Sequence, residues 1–142
     1  MKKSVIFFII VIAFLGMIWY IYEEAKILDN QKIGLNNEYE QLLNKEISGV
    51  DLASLINQCI DRNVKNEVEK DNKGIYKSNN LNSINIEIKF IDSDNTIKFE
   101  KLYDNGINKF IELYGISKFE LKKINYHQKS GIVKYLYFEE IN

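Results

Sequence analysis

Eighteen consecutive residues near the N-terminus carry no charge, and no other feature restricts what this chain can become so tightly. They are Val5, Ile6, Phe7, Phe8, Ile9, Ile10, Val11, Ile12, Ala13, Phe14, Leu15, Gly16, Met17, Ile18, Trp19, Tyr20, Ile21 and Tyr22. At about 1.5 Å of rise per residue, a helix of this length crosses a hydrocarbon layer of about 30 Å with little tilt. No polar face interrupts the run, which argues against a core helix of a soluble protein. Lys2 and Lys3 precede it and Glu23 and Glu24 follow it. The positive-inside bias therefore predicts a cytoplasmic N-terminus and an extracytoplasmic remainder, with Trp19, Tyr20 and Tyr22 at the outer interface. A cleaved signal peptide would need small residues spaced as A-x-A after a short apolar region, and bulky Trp19 to Tyr22 stand in that place. The expectation is a retained signal-anchor in a single-pass membrane protein, touching lipid through residues 5–22. A lipoprotein anchor is excluded by the lack of cysteine near the segment.

The remainder of the chain has the size of one domain. Of 142 residues roughly 120 lie beyond the anchor, too few for two independent cores. With 46% hydrophobic and 27% charged residues this part can bury a core. The net charge is −1 and both signs are interspersed, which leaves no electrostatic footprint for a phosphate backbone. No nucleic-acid partner is expected. Proline is absent and Arg62 is the only arginine, a skew that accompanies AT-rich genomes.

Past the membrane segment, Ile21, Ala25, Leu28, Leu35, Tyr39 and Leu42 recur at spacings that line one helical face, interrupted by Lys32. The helix is expected to run on as a stalk over 23–47, with Gly34, Asn36 and Asn37 as places to bend or break. Its stripe suits packing on the protein's own sheet, or self-association as a short coiled coil, for which too few uninterrupted heptads are present. Ser48-Gly49-Val50-Asp51 is a restart signal, Ser48 placed to cap the helix and Asp51 to answer it. Leu52, Leu55, Ile56, Cys59, Ile60, Val64 and Val68 then form an apolar face opposite Asp61, Arg62, Lys65 and Glu69. Turn chemistry at Asp71 to Gly74 ends this helix.

Ile84, Ile86, Ile88 and Phe90 alternate with polar residues, the period of a strand with one buried face. Gly74 to Lys77 is a candidate partner strand before it. Asp92 to Asn95 is a turn, and Phe99, Leu102, Tyr103, Phe110, Ile111 and Tyr114 describe a helix closed by Gly115. Gly106 is either a close-packing site or part of a break at Asp104-Asn105-Gly106, because glycine inside a helix costs about 1 kcal/mol. Phe119 and Leu121 share one strand phase and Ile124 and Tyr126 the other; a β-bulge at Lys122-Lys123 reconciles them. His127 to Gly131 reads as a hairpin loop, and Ile132 to Phe138 as an interior strand apolar on both faces. The fold class is α+β: a transmembrane helix continuing into an amphipathic helix, then an antiparallel sheet of three to four strands with helices on one face. The domain division is 1–22 for the N-terminal tip and anchor, 23–47 for the stalk and 48–142 for the soluble domain.

Chemistry is sparse. One histidine and one cysteine cannot build a zinc cluster, and neither cofactor nor metal is expected. Cys59, His127 and Arg62 match the residue types of membrane-anchored, sortase-like transpeptidases. Their order and placement differ, since Cys59 and Arg62 share one predicted helix and Cys59 falls on its apolar face, where a thiol behaves as a small inert hydrophobe. His127 reads as a solvated turn residue, and Ser130 stands too near it to form a triad with it. The acid pairs Asp92-Asp94 and Glu139-Glu140 lack EF-hand spacing. A lone cysteine outside the membrane forbids an internal disulfide. No catalytic residue is assigned.

The apolar run leading into an amphipathic stalk and then Ile47-Ser48-Gly49-Val50-Asp51-Leu52 resembles pilin-like and TadE-type pilus-assembly proteins of bacteria, over residues 1–56. That resemblance implies a membrane-held assembly component. It departs from type IV pilins in having no prepilin-peptidase glycine before the apolar run and no glutamate at its start. The leading expectation is a non-enzymatic, membrane-tethered extracytoplasmic module that binds or assembles with a protein partner. The alternatives are a minor pilin-like subunit of a surface filament or secretion system, and a cell-surface hydrolase or transpeptidase relying on Cys59 or His127.

Overall fold

A computed structural model describes residues 2–141, without the side chains of residues 2–4, Leu28 and Gln31. The expectations for the Lys2 and Lys3 side chains and for Leu28 in the stalk stripe therefore lie outside the described residues. The chain divides into two compact units, residues 1–34 and residues 35–142.

In the first unit the backbone is helical from Lys2, the start of α1 (Lys2–Glu40). The large apolar side chains from Val5 to Tyr22 are 38–70% exposed, and no part of the apolar window is buried by protein. This is a helix long and apolar enough to cross a membrane. Gly34 does not break it, since α1 ends only at Glu40.

The second unit begins with the last turns of α1, whose Tyr39 is fully buried and whose Leu35 packs against the core. Next come β1 (Glu46–Ser48), α2 (Gly49–Lys65), β2 (Asn85–Lys89), β3 (Thr96–Lys98), α3 (Phe99–Asp104), α4 (Ile107–Tyr114), β4 (Lys118–Tyr126) and β5 (Val133–Ile141). The capping box at the head of α2 is complete: Ser48 Oγ accepts from the Asp51 N–H at 3.2 Å, and Asp51 Oδ2 accepts from the Ser48 N–H at 3.2 Å. The Ser48 hydroxyl, donating to Asp51 Oδ2 at 2.6 Å, and then the Ser48 N–H hold the Asp51 carboxyl below its ordinary range. Leu52, Leu55, Ile56, Cys59 and Ile60 are buried as their spacing requires. Val64 is 62% exposed, and Val68 reaches the core from beyond the helix, which stops at Lys65 with Asn66 as its cap.

The strands form one five-stranded sheet in the order β1-β4-β5-β2-β3. The expected antiparallel sheet of three to four strands is corrected on two counts. First, β1 and β3 are edge strands of three residues each, too short to show a period of two. Second, β2 and β5 pair in parallel, Ile86 beside Leu136 and Ile88 beside Phe138. The sheet is therefore mixed, because the chain makes a long crossover through α3, α4 and β4 before β5 returns beside β2. The antiparallel partner of β2 is β3, which follows it through the Asp92–Asn95 turn. Ile75 to Lys77 contribute only a single bridge, Tyr76 to Lys70. As the alternation predicts, Ile84, Ile86, Ile88 and Phe90 are buried, and β5 lies inside the sheet between β4 and β2.

The long predicted helix is two, because Gly106 adopts φ 95° between α3 and α4, a conformation that disfavours any side chain. Gly115 caps α4 without a positive φ, at −57°. The close approach nearby belongs to Gly49, where a Cβ would overlap the Tyr114 carbonyl. The head of α2 is thereby seated on the end of α4, with the Gly49 N–H donating to Ser117 O at 3.0 Å. Phe90, Phe110, Tyr114 and Phe119 meet in an aromatic cluster that joins α4 to the sheet, the Phe90 and Tyr114 centroids 4.6 Å apart.

Candidate functional site

The helices cover one face of the sheet and leave the other to polar side chains. On β2 and β5 the buried residues Ile86, Ile88, Leu136 and Phe138 alternate with Asn85, Glu87, Tyr135, Tyr137 and Glu139, which are not buried. Two register shifts then alter this face. In β4 the pairing skips between Leu121 and Lys123, and both Leu121 and Ile124 point to the core. Lys122 and Lys123 between them are thus turned outward together. In β5 Tyr126 pairs with Val133 and Asn125 with Tyr135, so Lys134 is extra and joins Tyr135 on the outer side. A β-bulge puts two neighbouring side chains where regular pleating allows one, and such bulges re-aim side chains at functional surfaces.

The tyrosine hydroxyls on these strands are held by carboxylates. Tyr135 donates to Glu87 Oε2 at 2.9 Å, Tyr137 to Glu139 Oε1 at 2.8 Å and Tyr126 to Glu40 Oε1 at 2.7 Å. Partial burial together with the Glu40 carboxylate pushes the Tyr126 phenol up to about 12, and burial beside Glu87 raises Tyr135 in the same direction. The rings therefore stay neutral and fixed in orientation.

Along the β4–β5 hairpin lies an open groove of about 1060 Å³. Its charged lining is Lys123, Lys129 and Lys134, with no acidic side chain. None of the three forms an ion pair among the described residues, whereas neighbouring Lys122 pairs with Glu120 at 2.6 Å. Asn80, Asn125 and Gln128 add carboxamides, and Tyr126 and Tyr135 add rings. Lys134 and Tyr135 also line an adjoining hollow of about 300 Å³ that contains Glu87 and Lys98.

The base of this region is set by a buried polar clamp. Asn63, fully buried on α2, donates from Nδ2 to Ile84 O at 2.8 Å and accepts from the Ile84 N–H at 2.9 Å. His127 Nε2–H donates to Ser83 O at 2.7 Å. The expectation that His127 is a solvated turn residue is corrected: it is 2% exposed, because the Ser83 carbonyl draws the ring inward to the start of β2. Asn36 reaches the same hairpin, donating to Gly131 O at 2.8 Å and accepting from the Val133 N–H at 3.1 Å.

The residue types considered for thiol chemistry are not joined. Cys59 is fully buried with its Sγ 3.4 Å from Tyr39 Oη, and burial pushes the thiol up to about 11. Arg62, one turn along α2, donates to Glu38 at 2.9 Å and lies 5.5 Å from the Tyr39 ring centroid. His127 bonds to Ser83 instead, and Ser130 Oγ to Leu81 O. Glu139 accepts from Tyr137 and Glu140 from the Ile91 N–H. No cluster of three or more metal-ligating side chains occurs among the described residues.

Sequence reasoning located the phase break at Lys122-Lys123 but not the groove. The second break, at Lys134 between Val133 and Tyr135, emerges only from the pairing of β5 with β4. No family model matches the chain, and no curated protein or solved structure matches it.

Proposed function

We propose that this chain is a membrane-tethered binding module, anchored in lipid by residues 5–22 with its N-terminus in the cytoplasm and its folded unit displayed outside. The observation that carries the reading is the apolar run itself, whose side chains find no protein to bury against. Exposed apolar surface on this scale is unfavourable in water by about 25 cal/mol per Å², and a bilayer removes that cost. Lys2 and Lys3 before the run and Glu23 and Glu24 after it favour this orientation. The displayed unit offers an open concave surface of mixed polarity at the β4–β5 hairpin, where a partner could be bound.

Alkaline carbonate extraction of cell membranes, followed by intact-mass measurement of the recovered chain, tests the proposal. The expected result is retention in the membrane pellet with residues 1–22 still attached. Release into the carbonate supernatant, or a mature chain lacking the apolar run, contradicts it.

A further inference from the structure

We propose that the groove on the β4–β5 hairpin binds an anionic glycan, a chain of hydroxyl-rich units bearing carboxylate or phosphodiester groups. The inference deepens the binding-module reading and rests on it. Its starting point is the charge pattern. Lys123, Lys129 and Lys134 line the groove with no acidic side chain among them and no ion pair among the described residues. Elsewhere on the sheet lysine does have acidic neighbours, as with Lys122 and Glu120 or Lys98 beside Glu87. Lys134 also has Glu87 near it, in the adjoining hollow, but that carboxylate is engaged by the Tyr135 hydroxyl, so the lining of the groove itself is cationic in a chain whose net charge is −1. This cationic lining exists because both β-bulges turn a lysine outward here.

The remaining lining separates a glycan from other anions. Three carboxamides each offer a donor and an acceptor, which match sugar hydroxyls that also do both. The Tyr126 and Tyr135 hydroxyls are already held by Glu40 and Glu87, so their rings are fixed surfaces for the apolar C–H faces of a sugar. An acidic peptide would gain most by strand addition, but β1 leaves open only Lys122–Tyr126 of β4, and the bulges at both ends of that stretch disrupt the ladder a peptide strand would need. The Leu121 carbonyl of β4 is already taken by the Asn44 N–H at 3.0 Å. A bilayer surface is broad and flat, whereas this surface is concave. Glu87 on β2, and Glu120 and Glu139 farther along β4 and β5 themselves, repel a dense polyanion and favour a ligand with spaced charges.

The test uses the full chain in phosphatidylcholine nanodiscs, titrated calorimetrically with polygalacturonate oligomers, a phosphodiester-linked mannan, neutral maltohexaose and poly-glutamate. At least one of the two anionic glycans should bind, at least tenfold more tightly than either maltohexaose or poly-glutamate, and which of them does so identifies the acid. Lys123→Gln with Lys134→Gln should weaken that binding at least tenfold, and Lys118→Gln, exposed and outside the groove, should not. If the double variant loses its native circular dichroism, Lys123→Gln with Lys129→Gln replaces it with the same expected loss. Absent binding of both anionic glycans, equal binding of maltohexaose, tighter binding of poly-glutamate, or an equal loss in Lys118→Gln each overturn the inference. Those outcomes, seen with the chain embedded in the nanodisc, count against the groove, whereas a chain that stays out of the bilayer counts against the tether.

Discussion

Asn63→Ala is expected to destabilise the folded unit far more than the loss of one surface amide would. The Asn63 side chain satisfies both backbone groups of Ile84, at 2.8 and 2.9 Å, with no exposure to water. Removing it strands a buried N–H and a buried C=O, each costing about 1–3 kcal/mol, so the expected loss is about 2–6 kcal/mol. A domain of about 110 residues is stable by only about 5–15 kcal/mol, which makes this a large fraction of the total. Near that size each kcal/mol moves the melting temperature by about 4–8 °C, so the tyrosine near-ultraviolet dichroism of the full chain in detergent should melt at least about 8 °C lower. Asn66→Ala is the control: its Nδ2 bonds Asn82 O at 3.1 Å on the exposed surface, where water replaces it, and the expected cost is under about 1 kcal/mol. A melt of Asn63→Ala that matches the Asn66→Ala control would refute the reasoning, since it would mean that the start of β2 does not depend on the clamp.

Three further outcomes are expected. Glu100 is 1% exposed, Oε1 accepting from the Tyr76 N–H at 3.0 Å and Oε2 without a partner, and burial raises its carboxyl above 4.5. A raised folded value favours the protonated form, so this contribution to stability is complete below about 4.5 and is lost as pH rises through the folded value. Glu100→Gln should therefore be more stable than the parent at pH 8 and about equal to it at pH 4 in parallel thermal melts; equal melts at pH 8 would count against a buried carboxyl. Cys59, fully buried with its thiol pushed up to about 11, should resist iodoacetamide at pH 8 in the native chain and react within minutes in denaturant, followed by mass spectrometry. Gly49→Ala should prevent the native fold from forming, read as loss of tyrosine near-ultraviolet dichroism, because its Cβ would occupy the Tyr114 carbonyl position.

Much of the second unit was legible where period and chemistry act locally. The alternation of Ile84, Ile86 and Ile88 marked β2, the Ser48–Asp51 box marked the head of α2, and the phase break at Lys122-Lys123 marked the bulge. The elements that escaped are those decided at long range. Glu46–Ser48 and Thr96–Lys98 are strands only because β4 and β2 offer them an edge, and three residues carry no period. The parallel pairing of β2 with β5 joins segments separated by the whole crossover, and a final strand apolar on both faces does not reveal which neighbour it takes. His127 escaped for the same reason: its loop is polar, and only the distant Ser83 carbonyl makes burial of the ring favourable. The groove was hidden because a lysine at a bulge looks like any other surface lysine until pairing register decides which face it joins.

The placement of residues 5–22 in a bilayer, with the folded unit outside, is the premise of the proposed function, and labelling single cysteines in intact cells tests it most directly. Ile116, 95% exposed in the folded unit, would be replaced by cysteine in one variant and Lys3 in another, with buried Cys59 silent in both. A membrane-impermeant maleimide should label Ile116→Cys on intact cells and Lys3→Cys only after the membrane is opened. Labelling in the reverse order, or at neither position before lysis, contradicts that placement.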